Sequence, residues 1–203
     1  MNFFPDVPPA GDRDEPEEPP QPAWMGAPKD VLPGVVPVEL ILGRSDSTVV
    51  MLTGVRAFPS GLGMRLGVRV RGPLPRRELH GEVVDGPSAR DMDAEWQAGR
   101  LKWGFEFADG RRVTNVDPRP WPPIPELLEP GWEPDRPVLI GRGGGGGMRS
   151  VDFDYWLWPL PPVSRLRVAC QWLEQGIEMS IQELQAQPFV EAASLAQPVW
   201  PPN

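Results

Sequence analysis

The clearest signal in the chain is a two-residue alternation of apolar and polar side chains that begins near Val35 and runs to Leu184. Val38, Leu40 and Leu42 alternate with Glu39 and Ile41. Residues 48–58 are apolar on both sides, with Val49, Met51 and Val55 opposing Val50, Leu52 and Phe58, as in a central strand covered on two faces. Residues 64–71 alternate strictly: Met64, Leu66, Val68 and Val70 point one way, and Arg65, Gly67, Arg69 and Arg71 the other. That pattern predicts a strand with one face in a core and one in solvent.

Residues 73–100 lose the alternation, and prolines 73, 75 and 87 mark an excursion with a short helix expected over 91–99. The period returns at Leu101, where Trp103, Phe105 and Phe107 alternate with Lys102, Gly104 and Glu106. Asp109-Gly110 then precedes a second run, Arg111 to Val116, and predicts a hairpin with a type I′ turn. Residues 117–137 carry eight prolines and read as a long irregular segment packed over the domain. Val138-Leu139-Ile140 suits a short edge strand, and the glycine run 143–147 reads as a mobile hairpin connection.

The last third holds the strongest pattern. Val151, Phe153, Tyr155 and Leu157 form one face of a strand, and Asp152, Asp154, Trp156 and Trp158 the other. After Pro159–Pro162, Leu166, Val168, Cys170 and Trp172 alternate with polar or small residues. After Gly176, Ile177, Met179 and Ile181 alternate with Glu178, Ser180 and Gln182. Three consecutive strands with short links predict an antiparallel meander. A short C-terminal helix is expected over 188–197.

Eight or nine strands without intervening helices predict a mainly β fold: a single antiparallel β-sandwich with long proline-rich loops. An immunoglobulin-like arrangement is one form this allows, and a closed barrel is the alternative. The domain is expected over 34–198, with 199–203 as a C-terminal tail. Residues 1–33 read as a disordered, acidic, proline-rich tail, in which Trp24-Met25 is the one apolar pair able to dock.

Composition changes this picture at the ends rather than in the middle. Of the net charge of −8, residues 1–30 supply −5, from seven acids and two bases. The other 173 residues are close to balance, with 21 acids and 18 bases. The chain lacks the basic excess of a duplex or membrane-surface binder, so neither nucleic acid nor membrane is an expected partner. No apolar run approaches the ~18 residues of a membrane span, and Met1–Pro9 has no signal-peptide pattern, which points to the cytoplasm.

Candidate chemistry is sparse. His80 is the only histidine and Cys170 the only cysteine, so a nucleophile–base pair would have to bring these two together. Together they fall short of a zinc ligand set. Asp91-Met92-Asp93-Ala94-Glu95 places three carboxylates at alternate positions but lacks the rest of a calcium loop. The Gly141–Gly147 run lacks the Gly-Lys-Ser/Thr ending of a phosphate loop. No catalytic residue, metal site or cofactor is therefore expected. The most distinctive face is Asp152, Asp154, Trp156 and Trp158, spaced about 7 Å apart on a strand. Exposed, it could stack a sugar or a cationic small molecule, or join Glu106 in hydrolytic chemistry. Covered, its indoles pack beneath the 117–137 segment or Trp24.

Asp154-Tyr155-Trp156-Leu157-Trp158-Pro159-Leu160-Pro161-Pro162, followed by Cys170-Gln171-Trp172 and Gly176-Ile177-Glu178, resembles a pattern in an actinobacterial protein family of unknown function, where it also follows a glycine run. The resemblance covers mainly residues 140–180, with a fainter echo over Phe105–Asn115. It implies a cytosolic bacterial setting and carries no activity with it. The expected function is a non-enzymatic interaction with another protein; the alternative is a ligand-binding or hydrolytic β-domain using the 152–158 face.

Overall fold

The computed structural model describes residues 21–75, 78–84, 99–118 and 131–201. All but the last residue of the helix expected over 91–99, and the carboxylates at 91–95, lie outside these residues. The fold is mainly β. A five-stranded antiparallel sheet has the order β2 (Gly34–Arg44), β3 (Thr48–Phe58), β4 (Gly61–Val70), β8 (Ser150–Trp158), β7 (Val138–Gly147). A four-stranded antiparallel sheet has the order β10 (Ile177–Gln185), β9 (Arg165–Trp172), β5 (Lys102–Phe107), β6 (Arg112–Thr114). A small ribbon pairs β1 (Val31–Leu32) with β11 (Gln197–Pro198).

The two large sheets face each other over one hydrophobic core, forming a β-sandwich. Alternation decides which side chains enter it. Met64, Leu66, Val68 and Val70 of β4 are buried between the sheets, as are Val151, Phe153, Tyr155 and Leu157 of β8. From the opposite sheet come Trp103, Phe105 and Phe107 of β5 and Leu166, Val168, Cys170 and Trp172 of β9. Trp103 meets Tyr155 edge-on across the layers, with ring centroids 4.7 Å apart. Such a contact adds to the burial of both rings.

Two helices close the ends. α1 (Leu79–Val84) packs beside β7 and β8, with Leu79 and Val83 buried and the Tyr155 hydroxyl donating to the Val83 carbonyl. α2 (Gln187–Ser194), where the C-terminal helix was expected, covers the start of β2 and the end of β3. Gly34 is obligatory there: a Cβ would come within 1.9 Å of the Ala192 carbonyl oxygen.

Several expectations need correction. Residues 21–33 belong to the folded domain. Ala23–Met25 form a 3-10 turn whose Trp24 is fully buried, with its ring edge-on to Trp132 at 5.3 Å. The glycine run is not a connection but the second half of β7, paired with β8 along its length; the turn falls at Met148-Arg149. The meander is broken after Trp158: β8 lies in the five-stranded sheet and β9 in the other, so the Pro159–Pro162 segment carries the chain between layers. The Asp109-Gly110 hairpin forms, but only Gly110 has positive φ, at 87°. Gly110 N–H donates to Phe107 O, and Phe107 N–H to Arg111 O. This is a longer loop closed by one left-handed glycine rather than a type I′ turn.

Candidate functional site

The outer faces of the two sheets each carry ion pairs, and they differ. On the five-stranded sheet, strand register lines side chains into rungs. One rung runs Glu39, Thr53, Arg65, Asp154, Gly143; the next runs Ile41, Met51, Gly67, Asp152, Gly145. Asp154 accepts from Arg65 Nε at 2.9 Å and lies 3.7 Å from Arg56 Nη2. Asp152 accepts from Arg69 Nη2 through both oxygens, at 2.9 and 2.8 Å. Arg65 and Asp154 form the two-point pair, Nε donating to Oδ1 at 2.9 Å and Nη2 to Oδ2 at 3.1 Å, which fixes the guanidinium against the carboxylate. The Asp154 carboxylate also holds the Arg65 guanidinium above its ordinary pKa, first by hydrogen bonding and then by charge.

The four residues predicted as a binding row therefore have separate fates. Asp152 and Asp154 do share a face, but each is engaged by an arginine of a neighbouring strand. Trp156 is 1% exposed, donates from Nε1 to the Ala23 carbonyl at 3.1 Å, and packs against Phe58. Of the two indoles, only Trp158 retains partial exposure. Two exposed rings beside two free carboxylates are not present, because residues 23–24 occupy the place above Trp156.

His80 and Cys170 sit toward opposite edges of the sandwich. The His80 ring meets Phe153 of β8, next to edge strand β7, at 6.4 Å. Cys170 lies where a Cβ on Gly43 of β2, the other edge, would come within 3.5 Å of its sulfur. Burial pushes the Cys170 thiol up to about 12, and the Tyr155 phenol likewise to about 12. Neither is poised as a nucleophile near neutral pH. Among the described residues, no group of three or more His, Cys, Asp and Glu side chains is arranged to hold a metal ion.

The outer face of the four-stranded sheet was not anticipated. Its most ordered rung runs Glu183, Arg167, Glu106, Arg112 across all four strands, acid and base in turn. Arg167 Nη1 and Arg112 Nε each donate to Glu106 at 2.5 Å. These two hydrogen bonds hold the Glu106 carboxyl below its ordinary pKa, Arg167 contributing first. The adjacent rung is uncharged: Ile181, Ala169, Gly104, Thr114. Its two small central residues, Ala169 and Gly104, form the floor of an open groove of about 430 Å³. Met179 and Ile181 wall one side, 65% and 52% exposed, and Lys102 and Gln171 close the far end.

A single irregularity creates this groove. Ile177 pairs with Trp172 and Ser180 with Cys170, so β10 carries one residue more than β9 between those rungs. A bulge reverses the faces of everything after it. Ile177 stays in the core, Met179 and Ile181 turn outward, and Ser180 turns inward to donate to the Leu42 carbonyl. Uniform alternation predicts all three apolar residues on one face. The only sequence hint of the switch is Leu184, which continues the phase of Ser180 and Gln182 and packs against the core.

The chain matches no protein-family model, no curated protein and no solved structure. No helix among the described residues is long and apolar enough to cross a membrane.

Proposed function

We propose that this chain is a non-enzymatic, cytoplasmic bacterial interaction domain that holds an acidic, apolar-anchored segment of another protein in the groove on its four-stranded sheet. The observation that carries this reading is the bulge at 177–180, which places two aliphatic side chains in solvent beside a floor of Gly104 and Ala169. Large apolar side chains grouped at a concave surface are the usual anchor points of an interface. The charged rung supports the same reading. Its interior carboxylate is shared by two arginines, while Arg112 keeps a 74% exposed side chain at the edge. Lys102 stands at the opposite end of the groove. An incoming segment thus meets cations at both ends and an apolar trough between them, which selects acids flanking one or two aliphatic or aromatic side chains. The cytosolic bacterial setting rests on the resemblance of residues 140–180 to actinobacterial proteins.

A displayed library of random peptides, selected on the full chain, tests the proposal. Enriched peptides should carry acids around an apolar anchor and lose at least tenfold in affinity on Ile181→Asp or Arg112→Glu, a change of about 1.4 kcal/mol or more. Ile181→Asp, at an exposed position, should keep the wild-type unfolding midpoint, and Arg112→Glu, which also breaks the exposed pair to Glu106, should lower stability by no more than about 1 kcal/mol. Peptides that bind wild type and both variants equally would refute the groove as the site.

A further inference from the structure

We infer that the groove takes its partner as an extended segment, with a large aromatic side chain at its centre and a carboxylate two residues to either side. This rests on the groove being the interaction site. Three features of the four-stranded sheet set the form of the segment: the repeat along its strands, the width between its walls and the depth of its floor.

Along the outer face of β5 come Lys102, Gly104 and Glu106 in turn, with Gln171, Ala169 and Arg167 of β9 beside them. Like-facing residues of a strand repeat about every 6.8 Å, so the rung of Lys102 and the rung of Glu106 stand about 13 Å apart with Gly104 midway. An extended partner has the same repeat, and its residues i, i+2 and i+4 meet the three rungs in step. The cation at one end is Lys102; at the other it is Arg112, opposite Glu106 on β6. Glu106 engages Arg112 through Nε, which leaves the two Nη groups of this largely exposed side chain to a carboxylate from outside. Glu183, the other acid of that rung, lies 3.6 Å from Arg165.

β10 and β6 flank the groove three strand spacings apart, about 14 Å. Ile181 and Thr114 stand on them at the middle rung and narrow the opening, which excludes an α-helix about 10–12 Å across and admits one extended chain. Between these walls lie only Ala169 and Gly104. Gly104 cannot carry a side chain: a Cβ would come within 2.2 Å of the Val113 carbonyl oxygen and 2.7 Å of Thr114 Cα. Packing of the sheet itself therefore fixes the depth at the centre. Two adjacent positions without a long side chain leave room for a ring, and Met179 beside them is an unbranched thioether that conforms to aromatic neighbours.

Fluorescence anisotropy of labelled synthetic peptides, titrated with the full chain, provides the test. A peptide with the core Asp-Ser-Phe-Ser-Asp should bind about tenfold more tightly than one with Asp-Ser-Ser-Phe-Ser-Ser-Asp, in which the acids turn to the opposite side from the ring. It should exceed by a similar factor a helix-forming peptide with three Ala between Phe and each Asp, and the same core with Val in place of Phe. Lys102→Glu should weaken the core peptide by about fivefold, and exchanging Asp for Lys at one end, but not at the other, should restore binding to that variant. Equal affinity across the spacings, a preference for the helical peptide, or recovery by neither exchanged peptide would overturn the inference. If tighter binding at another spacing is still lost on Ile181→Asp, the groove remains the site and only the extended form fails. If no peptide, including those selected from the random library, responds to Ile181→Asp, the groove is not an interaction site and the inference falls with it.

Discussion

The two edges of the five-stranded sheet are built with the same residue type to opposite ends. At β2, Gly43 permits contact: a Cβ there would lie 2.5 Å from Ile177 of the other sheet. Around it the seam is closed by side chains, Ser180 to the Leu42 carbonyl, Gln182 to the Ile41 carbonyl, and Thr48 to Gln175 at 2.7 Å. At β7, glycines 143, 145 and 147 face open space, and among the described residues no strand pairs with the outer side of β7. Glycine in a strand costs about 0.5–1 kcal/mol relative to alanine. At β2 that cost is offset by closure of the sandwich, whereas at Gly143, Gly145 and Gly147 no contact among the described residues offsets it. Unsatisfied strand edges are commonly blunted by charge or proline; here the bare edge is bracketed by Arg142 and Arg149.

The largest test of this contrast is Gly43→Val. Overpacking against Ile177 should cost about 1–3 kcal/mol in urea unfolding, and a variant as stable as wild type would show that the seam is loose.

A pH series tests the same seam through Cys170. Because burial raises its folded pKa to about 12, the native thiol stays protonated while the unfolded one ionises at its ordinary value. The sign follows: its contribution to stability is complete below the unfolded pKa and declines as pH rises toward the folded one. Wild type should therefore lose stability with rising alkaline pH relative to Cys170→Ala, by no more than about 1.4 kcal/mol per pH unit. Parallel curves for the two proteins would mean that the thiol reaches solvent.

The smallest effect is expected at the open edge. Gly145→Val has free space for its side chain and a better strand former in place of glycine, so it should be neutral or stabilise by up to about 1 kcal/mol. A loss of more than that on thermal unfolding would reveal a contact on β7 that the described residues do not make.

The parts of this fold legible in the sequence are those where burial writes a period. β4, β8 and β9 follow from Met64–Val70, Val151–Leu157 and Leu166–Trp172 because each alternates between core and solvent without interruption. β7 was read too short because glycine has no side chain with which to mark a face. The groove was invisible because a bulge changes phase without changing composition: Ile177, Met179 and Ile181 look equivalent until one extra residue separates them. The fate of the 152–158 face was half legible. The spacing put the two aspartates together, but their arginine partners come from Arg65 and Arg69, more than 80 residues earlier, and only strand order joins them.

That strand order also constrains how the protein can be made. β4 pairs with β8 along eight consecutive rungs, from Leu62 with Leu157 to Arg69 with Ser150. During synthesis, roughly eighty residues must follow β4 before its partner leaves the ribosome, about 5–15 s at ordinary translation rates. Through that interval the edge of β4 that β8 later occupies has no partner strand, and an unpaired strand edge is a template on which another chain can pair.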